Sequence, residues 1–70
     1  MKNRIQELRK DKRITQEELA VLCTVTRQTI ISLENGRYNP SIFLAHKIAQ
    51  IFHLTIEEVF LFEEDIHELR

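Results

Sequence analysis

In 70 residues there is one glycine, one proline, one cysteine and no tryptophan. A single cysteine, Cys23, excludes an intrachain disulfide. With no charged-then-apolar stretch at the start of the sequence, it points away from secretion and toward a cytoplasmic setting. No apolar run approaches the roughly 18 to 20 residues that a spanning helix needs, so no membrane partner is expected. The scarcity of Gly and Pro leaves one strong breaker cluster, Asn35-Gly36-Arg37-Tyr38-Asn39-Pro40, and the rest of the chain must be helices separated by capped turns. The length has room for one small domain and excludes a multidomain enzyme. A core of this size supplies roughly 3 to 5 kcal/mol of net stability, so helix packing or dimerisation must provide the rest.

What is present is a composition of 43% hydrophobic and 30% charged residues, that of a folded chain rather than a disordered one. The net charge of −1 hides an asymmetry. Residues 1–56 carry nine basic side chains against five acidic ones, whereas residues 57–70 carry six acidic side chains and one basic, Arg70. One reading is a basic face for a polyanion with the acidic end turned away from it; the other is a solvated helical surface with an acidic tail. Charge alone leaves both open.

Helix starts are well marked. Thr15 with Glu18, and Thr55 with Glu58, fit the capping box, in which hydroxyl and carboxylate each satisfy an orphan backbone N–H. Thr26 and Ser41 are further N-cap candidates, and Gly36 stands where a helix end wants a left-handed residue. The expected fold is all-α, a compact five-helix domain with helices near 2–12, 16–22, 27–35, 42–52 and 56–61. The domain itself spans 1–62, and 63–70 form an acidic tail or frayed helix. Apolar residues recur at helical spacing: Ile5 and Leu8; Leu19, Leu22 and Cys23; Ile30 and Leu33; Leu44, Ile48 and Phe52. Strand alternation is nowhere sustained. Helices this short are unstable alone and must share one core.

The most informative stretch runs from Thr15 to Gly36, TQEELAVLCTVTRQTIISLENG. A capped helix, a turn around Cys23-Thr24-Val25 and a second capped helix have helix-turn-helix spacing. Leu19, Ala20, Cys23, Val25, Ile30 and Leu33 are then interior, and small Ala20 lets the helices approach closely. Arg27, Gln28, Thr29 and Ser32 form an outward polar strip near the start of the second helix. A glutamine amide matches adenine N6 and N7, an arginine fork matches guanine O6 and N7, and a threonine methyl can meet the thymine methyl. By itself such a strip is equally an ordinary solvated helix face.

From about Ile5 to Phe60 the sequence resembles the phage-repressor/Cro-type (Xre-type) helix-turn-helix regulators, particularly minimal single-domain ones. The matching residues are Leu8-Arg9, Thr15-Gln16-Glu17-Glu18-Leu19-Ala20, Val25-Thr26-Arg27-Gln28-Thr29-Ile30, Leu33-Glu34-Asn35-Gly36, Asn39-Pro40-Ser41, Leu44-Ala45, Lys47-Ile48-Ala49 and Glu57-Glu58-Val59-Phe60. The resemblance implies a repressor-like DNA-binding domain of bacterial, archaeal or phage type. It implies that Arg27, Gln28, Thr29 and Ser32 face bases, and that Gln16 bonds a phosphate and braces Gln28. Asn35, Arg37, Tyr38 and Asn39 would contact phosphates. Arg9 and Glu34 look like the family's structural ion pair between the first and third helices. Three positions depart from the pattern. Thr24 stands where the family usually has Gly or another residue at ease with positive φ, Ile31 replaces a usually polar position beside the strip, and Phe43 likewise sits where a polar residue is common.

One such domain makes few DNA contacts, whereas a twofold dimer places two recognition helices about 34 Å apart, one turn of DNA. A homodimer is therefore expected, with Phe60, Leu61, Phe62, Ile66 and Phe43 as its apolar interface; the other reading of Phe60 is that it closes the monomer core. His46, His53, His67 and Cys23 show no zinc-ligand spacing, so no metal or cofactor is expected. No Gly-rich phosphate loop or Ser/His/Asp set suggests an enzyme, and no effector domain suggests a small-molecule signal. Two functional classes remain. One is a regulator, a repressor that occupies a double-stranded DNA operator; the other is a protein-interaction module of the same fold, an antitoxin or an antagonist of a related repressor. They differ in whether the Arg27, Gln28, Thr29 face is needed.

Overall fold

The structure, a computed structural model, describes residues 2–61. Five helices follow one another: α1 (Ile5–Asp11), α2 (Gln16–Cys23), α3 (Arg27–Glu34), α4 (Ile42–Ile51) and α5 (Ile56–Val59). Four begin as the sequence marks them. The hydroxyls of Thr15, Thr26, Ser41 and Thr55 accept from the backbone N–H three residues on, at 3.0, 3.2, 3.2 and 3.3 Å. At Thr15 and Thr55 the box closes, because Glu18 and Glu58 accept from the threonine N–H at 3.0 and 2.9 Å.

Helix ends follow a rule that the sparse glycine hides. Arg13, Thr24, Gly36 and His53 all sit in the left-handed region, at φ of 57, 59, 73 and 57°. After each, the next N–H reaches back five residues: Ile14 to the Arg9 carbonyl, Val25 to Ala20, Arg37 to Ser32 and Leu54 to Ala49, at 3.0, 3.0, 3.0 and 2.9 Å. This is the Schellman closure, which satisfies carbonyls that the last turn leaves unpaired. Four helices end in this same closure, with glycine at one of the four. The expectation for Thr24 holds, at φ 59° and ψ 42°, while Arg13 and His53 carry no marker in the sequence.

The core is one cluster of Ile5, Leu19, Ala20, Cys23, Ile30, Leu33, Ala45, Ile48, Ala49, Phe52, Val59 and Phe60. Each fully buried Ile, Leu or Phe contributes about 1.5 to 3 kcal/mol, opposed by the entropy of ordering the chain. Of the expected interior of the α2–α3 pair, Leu19, Ala20, Cys23, Ile30 and Leu33 are buried, and Val25 packs partly against the cluster. Leu22 is a correction: it is half exposed and, with Ile14, Val21, Glu17 and Glu18, lines an open groove on α2.

Two boundaries differ from expectation for one reason. The first helix begins at Ile5 rather than near residue 2, and the fifth ends at Val59 rather than near 61, because residues 2–4 lie outside α1 and pair with the exit of α5. Asn3 and Phe60 form an isolated antiparallel bridge, with Arg4 N–H on the Val59 carbonyl at 2.8 Å and Leu61 N–H on Lys2 at 2.9 Å. Asn3 also starts α1 by accepting from Ile5 N–H at 3.1 Å, and donates from Nδ2 to the Leu33 carbonyl at 2.7 Å. Phe60 is turned inward by this seam and is 1% exposed, so it closes the monomer core and is withdrawn from the expected dimer interface. The expected tail at 63–70, and the expected interface residues Phe62 and Ile66, lie outside the described residues.

Candidate nucleic-acid interface

The α2–α3 pair is joined by three residues, Thr24, Val25 and Thr26. Thr24 turns the chain, Val25 anchors the turn to the core and Thr26 caps α3. The start of α3 is thus held at both of its approaches, and its first two residues, Arg27 and Gln28, are exposed. Thr29 and Ser32 are half-buried on the same helix. The Thr29 hydroxyl lies 3.0 Å from that of Thr26, which ties it to the cap. Ile31, four residues after Arg27 and so on its face, is half-buried rather than freely exposed.

Gln16, the first residue of α2, is half-buried and spans the gap to α3. Its amide nitrogen donates to Glu34 Oε1 at 3.0 Å, and its Oε1 accepts from Arg27 Nη2 at 3.4 Å. The expected brace to Gln28 is therefore made to Arg27 instead. One helical residue is about 100° of rotation, so Arg27 faces α2 while Gln28 faces solvent. The Glu34 link was missing from the sequence reading, since nothing in a spacing of eighteen residues shows two polar side chains meeting.

Beneath this contact lies the ion pair. Arg9 Nε donates to Glu34 Oε2 at 2.7 Å, with the two side chains 11% and 5% exposed. Arg9 also donates to Glu34 Oε1 at 3.4 Å and to the Ile14 carbonyl at 2.9 Å. The expected pairing of the first and third helices is present, with the further task of holding the turn after α1.

Past α3, Asn35, Arg37, Tyr38 and Asn39 are all exposed on one loop, which ends in the Ser41 cap of α4. The α4 start carries two large apolar side chains into solvent, Ile42 at 67% and Phe43 at 83% exposed. Lys47, further along α4, donates to the Thr24 hydroxyl at 3.3 Å and supports the α2–α3 turn from outside. Beside it, burial pushes the Cys23 thiol up, against the opposing charge of Lys47. Glu18, by contrast, is held below the usual carboxylate range by the backbone N–H and then the hydroxyl of Thr15.

Among the described residues no helix is long and apolar enough to cross a membrane, and no group of three His, Cys, Asp or Glu could hold a metal.

A family model described as helix-turn-helix matches residues 5–59, which covers all five helices. The chain belongs to the helix-turn-helix family, of the Xre type. Similar proteins agree with that membership. An uncharacterized HTH-type transcriptional regulator of Archaeoglobus fulgidus is 51% identical over 65 residues, covering 93% of this chain and 92% of its own. One from Methanothermobacter thermautotrophicus is 53% identical over 66 residues, covering 93% and 96%. Another, YgzD of Bacillus subtilis, is 45% identical over 65 residues, covering 93% and 98%. Among solved structures, the clp gene regulator ClgR from Corynebacterium glutamicum gives a TM-score of 0.71 at 26% identity, covering 77% of this chain and 57% of that one. The hypothetical transcription factor NHTF from Neisseria gives 0.72 at 24% identity over 94% and 76%, a likeness of fold. In this helix-turn-helix protein α2 and α3 are accordingly the two helices of the motif, and the protein is a DNA-binding transcriptional regulator.

Proposed function

We propose that the protein is a homodimeric repressor that occupies a palindromic operator through the major groove. The observation that carries this reading is the exposed, Thr26-capped start of α3, where Arg27 and Gln28 stand in solvent on a helix whose other face is in the core. Arg27, Gln28, Thr29 and Ser32 read base edges, with the Arg27 fork suited to guanine and the Gln28 amide to adenine. Gln16, Asn35, Arg37, Tyr38 and Asn39 bond phosphates and set the register of the helix on the duplex. A second copy places its own α3 one DNA turn away. Phe43 and Leu61, together with Phe62 and Ile66, are the apolar residues available to join the copies. The domain represses by occupancy, blocking polymerase from the site.

The exposed pair Ile42 and Phe43 is the feature that favours a second reading, in which this fold binds another protein as an antitoxin or antagonist. Selection of bound duplexes from a random pool decides between them, followed by titration of the winner at two salt concentrations for wild type and Gln28→Ala. The operator reading expects half-sites about one helical turn apart, a steep negative salt slope and relaxed specificity in the variant. No enriched sequence, with weak binding indifferent to Gln28, overturns it in favour of a protein partner.

A further inference from the structure

We propose that Glu34 is a positioning residue for the DNA interface: its buried carboxylate sets the polarity of the Gln16 amide, and that amide in turn places the Arg27 guanidinium. The inference rests on the operator reading above and extends it to a residue that faces the core.

The four side chains form one line from interior to surface. Arg9 donates to Glu34 at 2.7 Å, Gln16 donates to Glu34 at 3.0 Å, and Arg27 donates to Gln16 at 3.4 Å. A carboxylate has acceptors alone and a guanidinium donors alone, so both ends of the line dictate which way the amide between them lies. The NH2 must meet Glu34 and the oxygen must meet Arg27. Rotating the amide by half a turn sets oxygen against carboxylate and NH2 against guanidinium, and both bonds are lost. A glutamine amide on an open surface takes either orientation; here the buried charge selects one.

Two consequences follow for DNA. One Nε2 hydrogen is committed to Glu34, and the second is the donor that a phosphate receives, so its direction is set before DNA arrives. Arg9 compensates the charge of Glu34, so Arg27 is held by a neutral carbonyl dipole and keeps its full charge for the groove. The line thus orders a long arginine side chain, whose immobilisation on binding otherwise opposes association, without neutralising it.

The test uses the full chain with its selected duplex. Base preference is measured position by position for wild type, Arg27→Ala, Gln16→Ala, Glu34→Gln and the double variant Glu34→Gln/Arg27→Ala, at a temperature where circular dichroism shows each folded. An amide at position 34 turns its oxygen to Arg9 and its NH2 to Gln16, which reverses the Gln16 amide and releases Arg27. The proposal expects Glu34→Gln and Gln16→Ala to lose about tenfold discrimination at the base pair that Arg27→Ala also affects, with little further loss in the double variant. A Glu34→Gln protein that is less stable but keeps its base preference and salt slope overturns it, since that is what a purely structural ion pair predicts.

Nuclear magnetic resonance of the free wild-type protein gives a second reading that needs neither DNA nor a stable variant. One of the two Gln16 side-chain amide protons should exchange slowly and the other rapidly, whereas two equally fast protons overturn the proposal. If wild type enriches no sequence, the operator reading fails and takes the DNA role of Glu34 with it, while the amide protons still report whether the line exists.

Discussion

At its first residue α3 holds Arg27 in solvent, steadied by the Gln16 carbonyl at 3.4 Å; at its last it holds Glu34, 5% exposed, against Arg9 at 2.7 Å. Both are charged, and they are the two ends of one eight-residue helix. The buried end has its charge compensated by a partner on α1, so its loss is felt as stability as well as in the placing of Gln16 and Arg27. The exposed end keeps its charge uncompensated, so its loss should be felt as binding. Burial and partner count, rather than residue type, decide whether a charged side chain acts on binding directly or through its neighbours.

Substitutions at the two ends should separate stability from affinity. The largest effect belongs to the buried end: Glu34→Ala or Arg9→Ala leaves an unpaired buried charge and should cost about 3 to 5 kcal/mol, read as a lower urea midpoint. In a domain this small that approaches the whole of its stability. At the exposed end Gln28→Ala should cost about 1 to 3 kcal/mol of operator affinity while leaving the thermal midpoint nearly unchanged. Arg37→Ala, on the loop after α3, should weaken all sequences alike and reduce the salt slope by about one. A Gln28→Ala protein that unfolds early, or a Glu34→Ala protein as stable as wild type, breaks the comparison.

Two smaller effects sharpen it at the turn and at the cap. Thr24→Gly, at φ 59°, should relieve a left-handed β-branched residue and stabilise by about 1 kcal/mol, raising the thermal midpoint by several degrees. The Glu18 carboxyl titrates below its ordinary value because Thr15 bonds its charged form. A depressed folded value means that the box stabilises α2 above the unfolded value and that this contribution fades as pH falls through the folded one. A titration followed at Glu18 by nuclear magnetic resonance should show its midpoint below the ordinary glutamate value, and Thr15→Ala should raise it back toward that value.

Helix starts were legible because each rests on a local pattern: Thr15 and Glu18, Thr55 and Glu58, and the single caps Thr26 and Ser41 all act within three residues. Helix ends were legible at Gly36, where the residue type shows the backbone angle, and at Thr24 through the family resemblance. They were hidden at Arg13 and His53, where ordinary exposed residues take the left-handed region and the next N–H closes back onto the helix. The seam of residues 2–4 with Phe60 was missed for a different reason. A two-rung bridge is too short to show alternation, and its partners lie at opposite ends of the described chain. At the interface the strip itself was legible, but the brace fell on Arg27 rather than Gln28, a difference of one residue that only the rotation of α3 against α2 decides.

The sequence by itself determined the element order, the four side-chain caps, the apolar faces and the membership of the helix-turn-helix family, because each depends on residues near one another or on fixed spacing. Tertiary structure alone decided that Phe60 turns inward, that Leu22 does not, and that Glu34 meets Gln16 as well as Arg9. Those outcomes depend on which distant groups share a buried space, where each donor must find an acceptor and each apolar surface a neighbour. That matching is made between helices, across separations that no local pattern encodes.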